Sequence, residues 1–231
     1  MTVMDNQRSI AQAVRILHGM NLLEVFGHVS ARNDNSTCQI LGHLHVDGHT
    51  LANTIPEDVV TVDFEGCVLE GRTTPPGEVF IHTEIYRRRE DVNAVVHAHP
   101  MACIALSVVG KEVLPLWVQA TPFYQGTPIF VRPEQIDNRE IGAEVAELLG
   151  NKRAVLLKGH GAVVVGRTVE EACVLAISLE RTAMMQLSTY GLGEPVPISS
   201  DQLTEGMTRG LSISELVESY WAYWTGRFPL V

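Results

Sequence analysis

PPGEVFIHTEIYRRREDVNAVVHAHP, Pro75 to Pro100, is the stretch that decides how this chain folds. Pro75, Pro76 and Gly77 break the preceding segment, and Phe80, Ile81, Ile85 and Tyr86 then recur at helical spacing, which predicts a helix over Glu78 to Arg89. Asn93 to His99 is a short β-branched and apolar run stopped by Pro100, so it reads as a strand, and Met101 to Val109 has helix composition. Helix, strand and helix in quick succession mark an α/β layered domain. Because side chains two apart on a strand share a face, the same run sets His97 and His99 side by side at a strand end.

Outward from this core, Ile10, Ala13, Val14 and Leu17 predict a helix over Asp5 to Met20 with one buried face. Val25 to Ala31, Cys38 to Leu41 and Val59 to Asp63 have strand character, and Phe64-Glu65-Gly66 turns the chain into Cys67 to Leu69, giving a meander. Downstream, Thr127 to Val131 is strand-like, Arg139 to Leu149 helical, and Ala154 to Leu157 a fully apolar strand. Thr168 with Glu171 three residues on is a capping signature for a helix running to about Tyr190. Tyr220, Trp221, Tyr223, Trp224 and Phe228 are gathered in a helical tail within 201–231. No repeat or low-complexity segment interrupts the chain, so residues 1–231 read as one domain.

Composition narrows the partners. Of 231 residues 45% are hydrophobic and only 19% charged, enough apolar material for a sizeable core. A formal net charge of −10 repels polyanions, which argues against nucleic acid. No apolar run reaches the about 18 residues of a membrane span, and MTVMDNQRSI lacks the basic and apolar regions of a signal peptide, so no membrane partner and a cytoplasmic location are expected. Four cysteines without a CxxC pair read as free thiols.

The chemistry points to a divalent metal ion. A lone histidine is most often structural, but His97 and His99 have a third candidate in His160, whose flanking Gly159 and Gly161 let the backbone bend tightly. Three imidazoles suit zinc, or manganese or iron with added oxygen ligands, and leave positions open for substrate. Glu78, at a helix start, is either a first-turn glutamate favoured by the helix dipole or a fourth ligand or acid/base group. His82, one turn on, shares its helix face.

FGHVSAR (Phe26 to Arg32), PPGEVFIHTEIYRRREDVNAVVHAHP, LLKGHGAVVVGRTVEEA (Leu156 to Ala172) and the helix ending in MMQL (Met184 to Leu187) resemble, in order and gaps, the class II aldolase/adducin family. The resemblance implies a three-layer α/β/α domain with a central, mostly antiparallel sheet, and a homotetramer with metal sites near subunit interfaces. It also implies that His97, His99 and His160 hold a divalent ion (zinc, manganese, iron or cobalt), with Glu78 as ligand or proton shuttle. In the family's sugar-phosphate aldolases that ion stabilises an enediolate. The carboxyl-terminal segment, here 201–231, closes over the pocket in some members.

Departures from the aldolase pattern set the substrate expectation. Where those enzymes bind phosphate with an asparagine in a GNxS-type turn and with small hydroxyl residues before the glutamate, this chain has His28 in GHVS and Pro76-Gly77, which lack the hydroxyl donors. GHVS with PG before the glutamate resembles the branch that decarboxylates hydroxypyridine-dicarboxylates and dihydroxyphthalates. The implied reaction is metal-dependent loss of carbon dioxide from an ortho-hydroxylated aromatic or heteroaromatic dicarboxylic acid, a carbon–carbon lyase in aromatic catabolism. His28, Arg32, Arg72 and Lys158 are the candidate carboxylate-binding residues. Glu78, His82 and Tyr124, the last standing in for the aldolases' tyrosine, are the catalytic candidates. His43, His45 and His49 read as loop lining. The alternatives are an aldolase for an unphosphorylated hydroxy-keto acid or sugar acid, and an adducin-like interaction module, which would have no use for the histidine set.

Overall fold

The computed structural model describes residues 3–43, 50–132, 134–199, 201–203, 205 and 212–230. Helix α1 (Val3–Gly19) precedes the meander β1 (His28–Arg32), β2 (Thr37–Leu41), β3 (Val59–Asp63) and β4 (Val68–Glu70). Then come α2 (Val79–Arg88), β5 (Ala94–Ala98), α3 (Met101–Val108), a 3-10 segment (Val118–Phe123) and β6 (Ile129–Phe130). Helix α4 (Arg139–Leu149), the hairpin β7 (Ala154–Leu157) and β8 (Gly161–Gly166), and helices α5 (Val169–Thr189) and α6 (Ile213–Arg227) complete the chain. The strands form one sheet in the order β4-β3-β2-β1-β5-β8-β7-β6. Every neighbouring pair is antiparallel except β6 and β7.

Alternation along the central strands divides the core into two layers. Val29, Val96 and Val164 point to the side of α1, α3 and α5, where Ile10, Leu17, Leu106 and Leu179 cover them. Val95, Val163 and Val165 point to the other side, against Ile81 and Ile85 of α2 and Val145 and Leu149 of α4. The three-layer α/β/α arrangement with a mostly antiparallel sheet is therefore the one expected.

Strand β8 is the element that periodicity alone does not assign. All six of its residues are buried, and a strand covered on both faces shows no apolar/polar alternation. Gly161 lets it pack against β5, since a Cβ there would collide with the Ala98 carbonyl. Strand β1 starts at His28, later than the expected Val25, because Gly27 takes φ +101° and turns the chain into the sheet. Val25 and Phe26 stay in an exposed loop.

The Thr168 hydroxyl caps α5 by accepting from the Glu171 N–H, a contact worth about 1 kcal/mol. Helix α6 packs on α5 and α1, with Trp224 buried and the Gln12 amide donating to the Phe228 carbonyl across 2.6 Å. No helix among the described residues is long and apolar enough to cross a membrane.

Candidate metal and substrate site

The register of the central strands builds the site. His28 on β1 stands directly opposite His97 on β5, and His97 opposite Val163 on β8. Opposed residues in an antiparallel ladder share a face, so both imidazoles lie on the side covered by α2, with ring centroids 5.0 Å apart. His99 follows β5, and His160 lies in the turn between β7 and β8. Their ring centroids are 4.9 Å from that of His97 in each case, and ligand atoms of His97, His99 and His160 all fall within 4.8 Å of one another.

Glu78 is the N-cap residue of α2, but its side chain does not cap the helix. Its Oε1 instead accepts the Ile136 N–H at 3.1 Å, and its Oε2 lies 3.3 Å from His97 Nε2 and 3.5 Å from His160 Nε2. Burial works against its ionisation, yet the His160 and His97 rings and the Ile136 N–H outweigh it and hold the carboxyl below the usual carboxylate range.

The donor set fits a divalent ion. The Ala162 carbonyl can only accept, so His97 gives it the Nδ1 proton, and Nε2 is left buried without a hydrogen-bond partner. That nitrogen faces a carboxylate oxygen 3.3 Å away, and a cation between the two would satisfy both. Burial, together with repulsion from neighbouring imidazoles, holds His28 well below its ordinary value and brings His99 to about 4. Neutral imidazoles are the form that ligates metal.

A cleft of about 630 Å³ opens over these groups. Glu78, His28, His99, His160 and Gln135 belong to its polar part, and Val25, Phe26, Leu41, Leu51 and Pro76 to its apolar part. His43 also lines it, whereas His45 and His49 lie outside the described residues.

Other candidates from the sequence lie elsewhere. His82 is fully buried beneath the cleft, between His28 and Ser30. Arg32 spends its guanidinium on three backbone carbonyls, those of Val92, Tyr86 and Arg89. It therefore secures the connection from α2 to β5 and is not directed at the cleft. Arg72 and Lys158 are exposed and do not line it, and no described lining residue is a lysine or arginine. Tyr124 is 49% exposed and follows the 3-10 segment, away from the lining. No described residue of α6 reaches the cleft. Ser30, Tyr86 and the Ile136 N–H escaped the sequence, although Ser30 follows His28 by two on a strand and Tyr86 follows His82 by four on a helix.

The Class II Aldolase and Adducin N-terminal domain matches residues 8–187. The chain belongs to the class II aldolase and adducin family. It is 33% identical over 199 residues to 3,4-dihydroxyphthalate decarboxylase of Arthrobacter keyseri, covering 81% of this chain and 79% of that protein. It is also 33% identical over 163 residues to L-fuculose phosphate aldolase of Escherichia coli K12, covering 68% and 75%. The fold superposes on an aldolase II superfamily protein from Pseudomonas syringae with a TM-score of 0.82 at 20% identity, covering 97% of this chain and 92% of the other.

Proposed function

We propose that this chain is a metal-dependent lyase that decarboxylates an ortho-hydroxylated aromatic or heteroaromatic dicarboxylic acid. The observation that carries this reading is the composition of one cleft. An apolar part that includes Phe26 suits a flat ring, and it adjoins the Glu78, His99 and His160 cluster that would hold the reacting oxygens. His28 and Pro76-Gly77 occupy the places where hydroxyl and amide donors would receive a phosphate, and the likeness to 3,4-dihydroxyphthalate decarboxylase extends over four fifths of the chain.

His97, His99 and His160 would hold the ion, with Glu78 as a fourth ligand or beside it. A bound divalent ion supplies Lewis acidity, lowering the cost of negative charge on an oxygen adjacent to the reacting carbon. Glu78, kept anionic by its neighbours, is placed to take a proton from the substrate hydroxyl at Oε2 and return it to the carboxyl-bearing carbon. With that carbon protonated, the bond to the carboxylate breaks, its electron pair restores the aromatic ring, and carbon dioxide leaves. The apolar residues of the cleft keep water from the ring, and His28 meets a carboxylate oxygen.

The test is to incubate metal-reconstituted protein with a panel of ortho-hydroxy aromatic dicarboxylates and hydroxy-keto acids, recording carbon dioxide and aldehyde in parallel. Carbon dioxide from an aromatic acid, abolished by a chelator, is the expected result. Aldehyde without carbon dioxide would make the chain an aldolase for an unphosphorylated substrate. A homotetramer, the assembly the resemblance implies, is checked by light scattering.

A further inference from the structure

We propose that Tyr86, Ser30 and His82 form a one-way hydrogen-bond chain that fixes the proton of His28 on Nε2, so that His28 donates to an anionic substrate oxygen and is not a metal ligand. Ser30 Oγ lies 2.6 Å from the Tyr86 hydroxyl and 2.6 Å from His82 Nδ1, and His82 Nε2 lies 2.6 Å from His28 Nδ1. The spacing makes this possible: His28 and Ser30 share one face of β1, and His82 and Tyr86 are one turn apart on the α2 face that covers it. His28, Ser30, His82 and Tyr86 are 5%, 0%, 0% and 1% exposed, so water does not relieve a misplaced hydrogen.

The direction follows from where each hydrogen can go. Among the described residues, Ser30 Oγ is the one acceptor for the Tyr86 hydroxyl hydrogen. If Ser30 donated to Tyr86, that phenolic hydrogen would be buried without an acceptor, a state that native structures avoid. Tyr86 therefore donates to Ser30, and the Ser30 hydrogen has His82 Nδ1 as its acceptor. A neutral His82 that accepts at Nδ1 carries its proton on Nε2 and donates it to His28 Nδ1. His28 must then carry its own proton on Nε2, a nitrogen without a hydrogen-bond partner among the described residues, in a ring that lines the cleft.

This assignment separates two sets of groups that geometry alone leaves equivalent. His28, Glu78 and His97 have ligand atoms as close together as those of His97, His99 and His160. A protonated nitrogen cannot coordinate, so His28 drops out of the metal set and becomes a donor. The cleft has no lysine or arginine among its described lining residues, so this N–H takes on the recognition of a carboxylate. Ser30, His82 and Tyr86 act through His28 and are positioning residues. The substrate half of the inference rests on the proposed function; the proton assignment does not.

Neutron diffraction from the deuterated protein reads the hydrogens directly. Density on His28 Nε2 and on His82 Nε2 is the expected result, and a proton on His28 Nδ1 would overturn the proposal whatever the enzyme's reaction. The second measurement is calorimetric titration of zinc-reconstituted protein with phthalate, a dicarboxylate that lacks the reacting hydroxyl. Ser30→Ala and Tyr86→Phe remove links of the chain while keeping the packed carbon framework, and each should weaken phthalate about three- to tenfold. Unchanged affinity in both folded variants, or no phthalate binding by the wild type, would remove the donor role. If the proton assignment and both affinity losses hold but no aromatic acid releases carbon dioxide, the decarboxylase reading alone fails.

Discussion

His97 Nε2 faces Glu78 Oε2 across 3.3 Å, while the other nitrogen of the same ring is committed to the Ala162 carbonyl. The buried Nε2 thus faces a carboxylate oxygen without a hydrogen-bond partner, and a cation between the two would satisfy both. Replacing His97 by Ala removes the ligand at the centre of the set. Metal affinity should fall by at least about 100-fold, with the circular dichroism spectrum unchanged. Metal analysis after dialysis checks this, and stoichiometric metal in the variant would end the ligand assignment; His160→Ala should behave the same way.

Glu78→Gln keeps the shape of the side chain and can still accept the Ile136 N–H, but it cannot hold a proton in transit. Turnover should fall by about 10²- to 10⁴-fold while bound metal stays within twofold. Carbon dioxide release per metal-loaded site is the readout. Near-normal turnover would remove Glu78 from proton transfer.

Arg32 supplies three hydrogen bonds to carbonyls and lies 4.8 Å from the Tyr86 ring centroid. Arg32→Met leaves those half-buried acceptors with fewer partners and should cost about 2–4 kcal/mol of stability. Urea denaturation measures the loss. The Michaelis constant should move less than about twofold, and a large rise with unchanged stability would return Arg32 to the substrate.

Three of the four thiols should be silent in the native protein. Burial pushes the Cys38 thiol up to about 12 and raises Cys103 and Cys173 as well, whereas Cys67 is exposed. Because labelling needs access as well as the thiolate, a thiol reagent should modify Cys67 alone in the native protein. A chromogenic disulfide should count one thiol in the native protein and four in denaturant.

The sequence carried the helices and the juxtaposition of His97 with His99 because their signals are local. The i, i+2 spacing of His97 and His99 and the helical spacing from Phe80 to Tyr86 are properties of a few adjacent residues. Strand β8 escaped because burial on both faces erases the alternation, and the strand-like run Thr127 to Val131 shrinks to the two residues of β6. The candidate cations misled for a different reason. Nothing near Arg32 in sequence shows that the carbonyls of Tyr86, Arg89 and Val92 converge on it, since they come from the end of α2 and the approach to β5. The chain through Ser30 was readable in its parts, as two periodicities, but only the pairing of β1 with β5 beneath α2 joins them.

The order of strands in the sheet has a consequence for the durability of the site. β1, β5 and β8, which present or border the histidines, are each flanked by strands on both sides, whereas the three-residue β4 and the two-residue β6 form the margins. Amide exchange and thermal fraying begin at such margins, where backbone groups have one neighbour. The strands that carry the histidine cluster therefore come apart only with the cooperative unfolding of the sheet's middle, and the edges can breathe without disturbing its geometry.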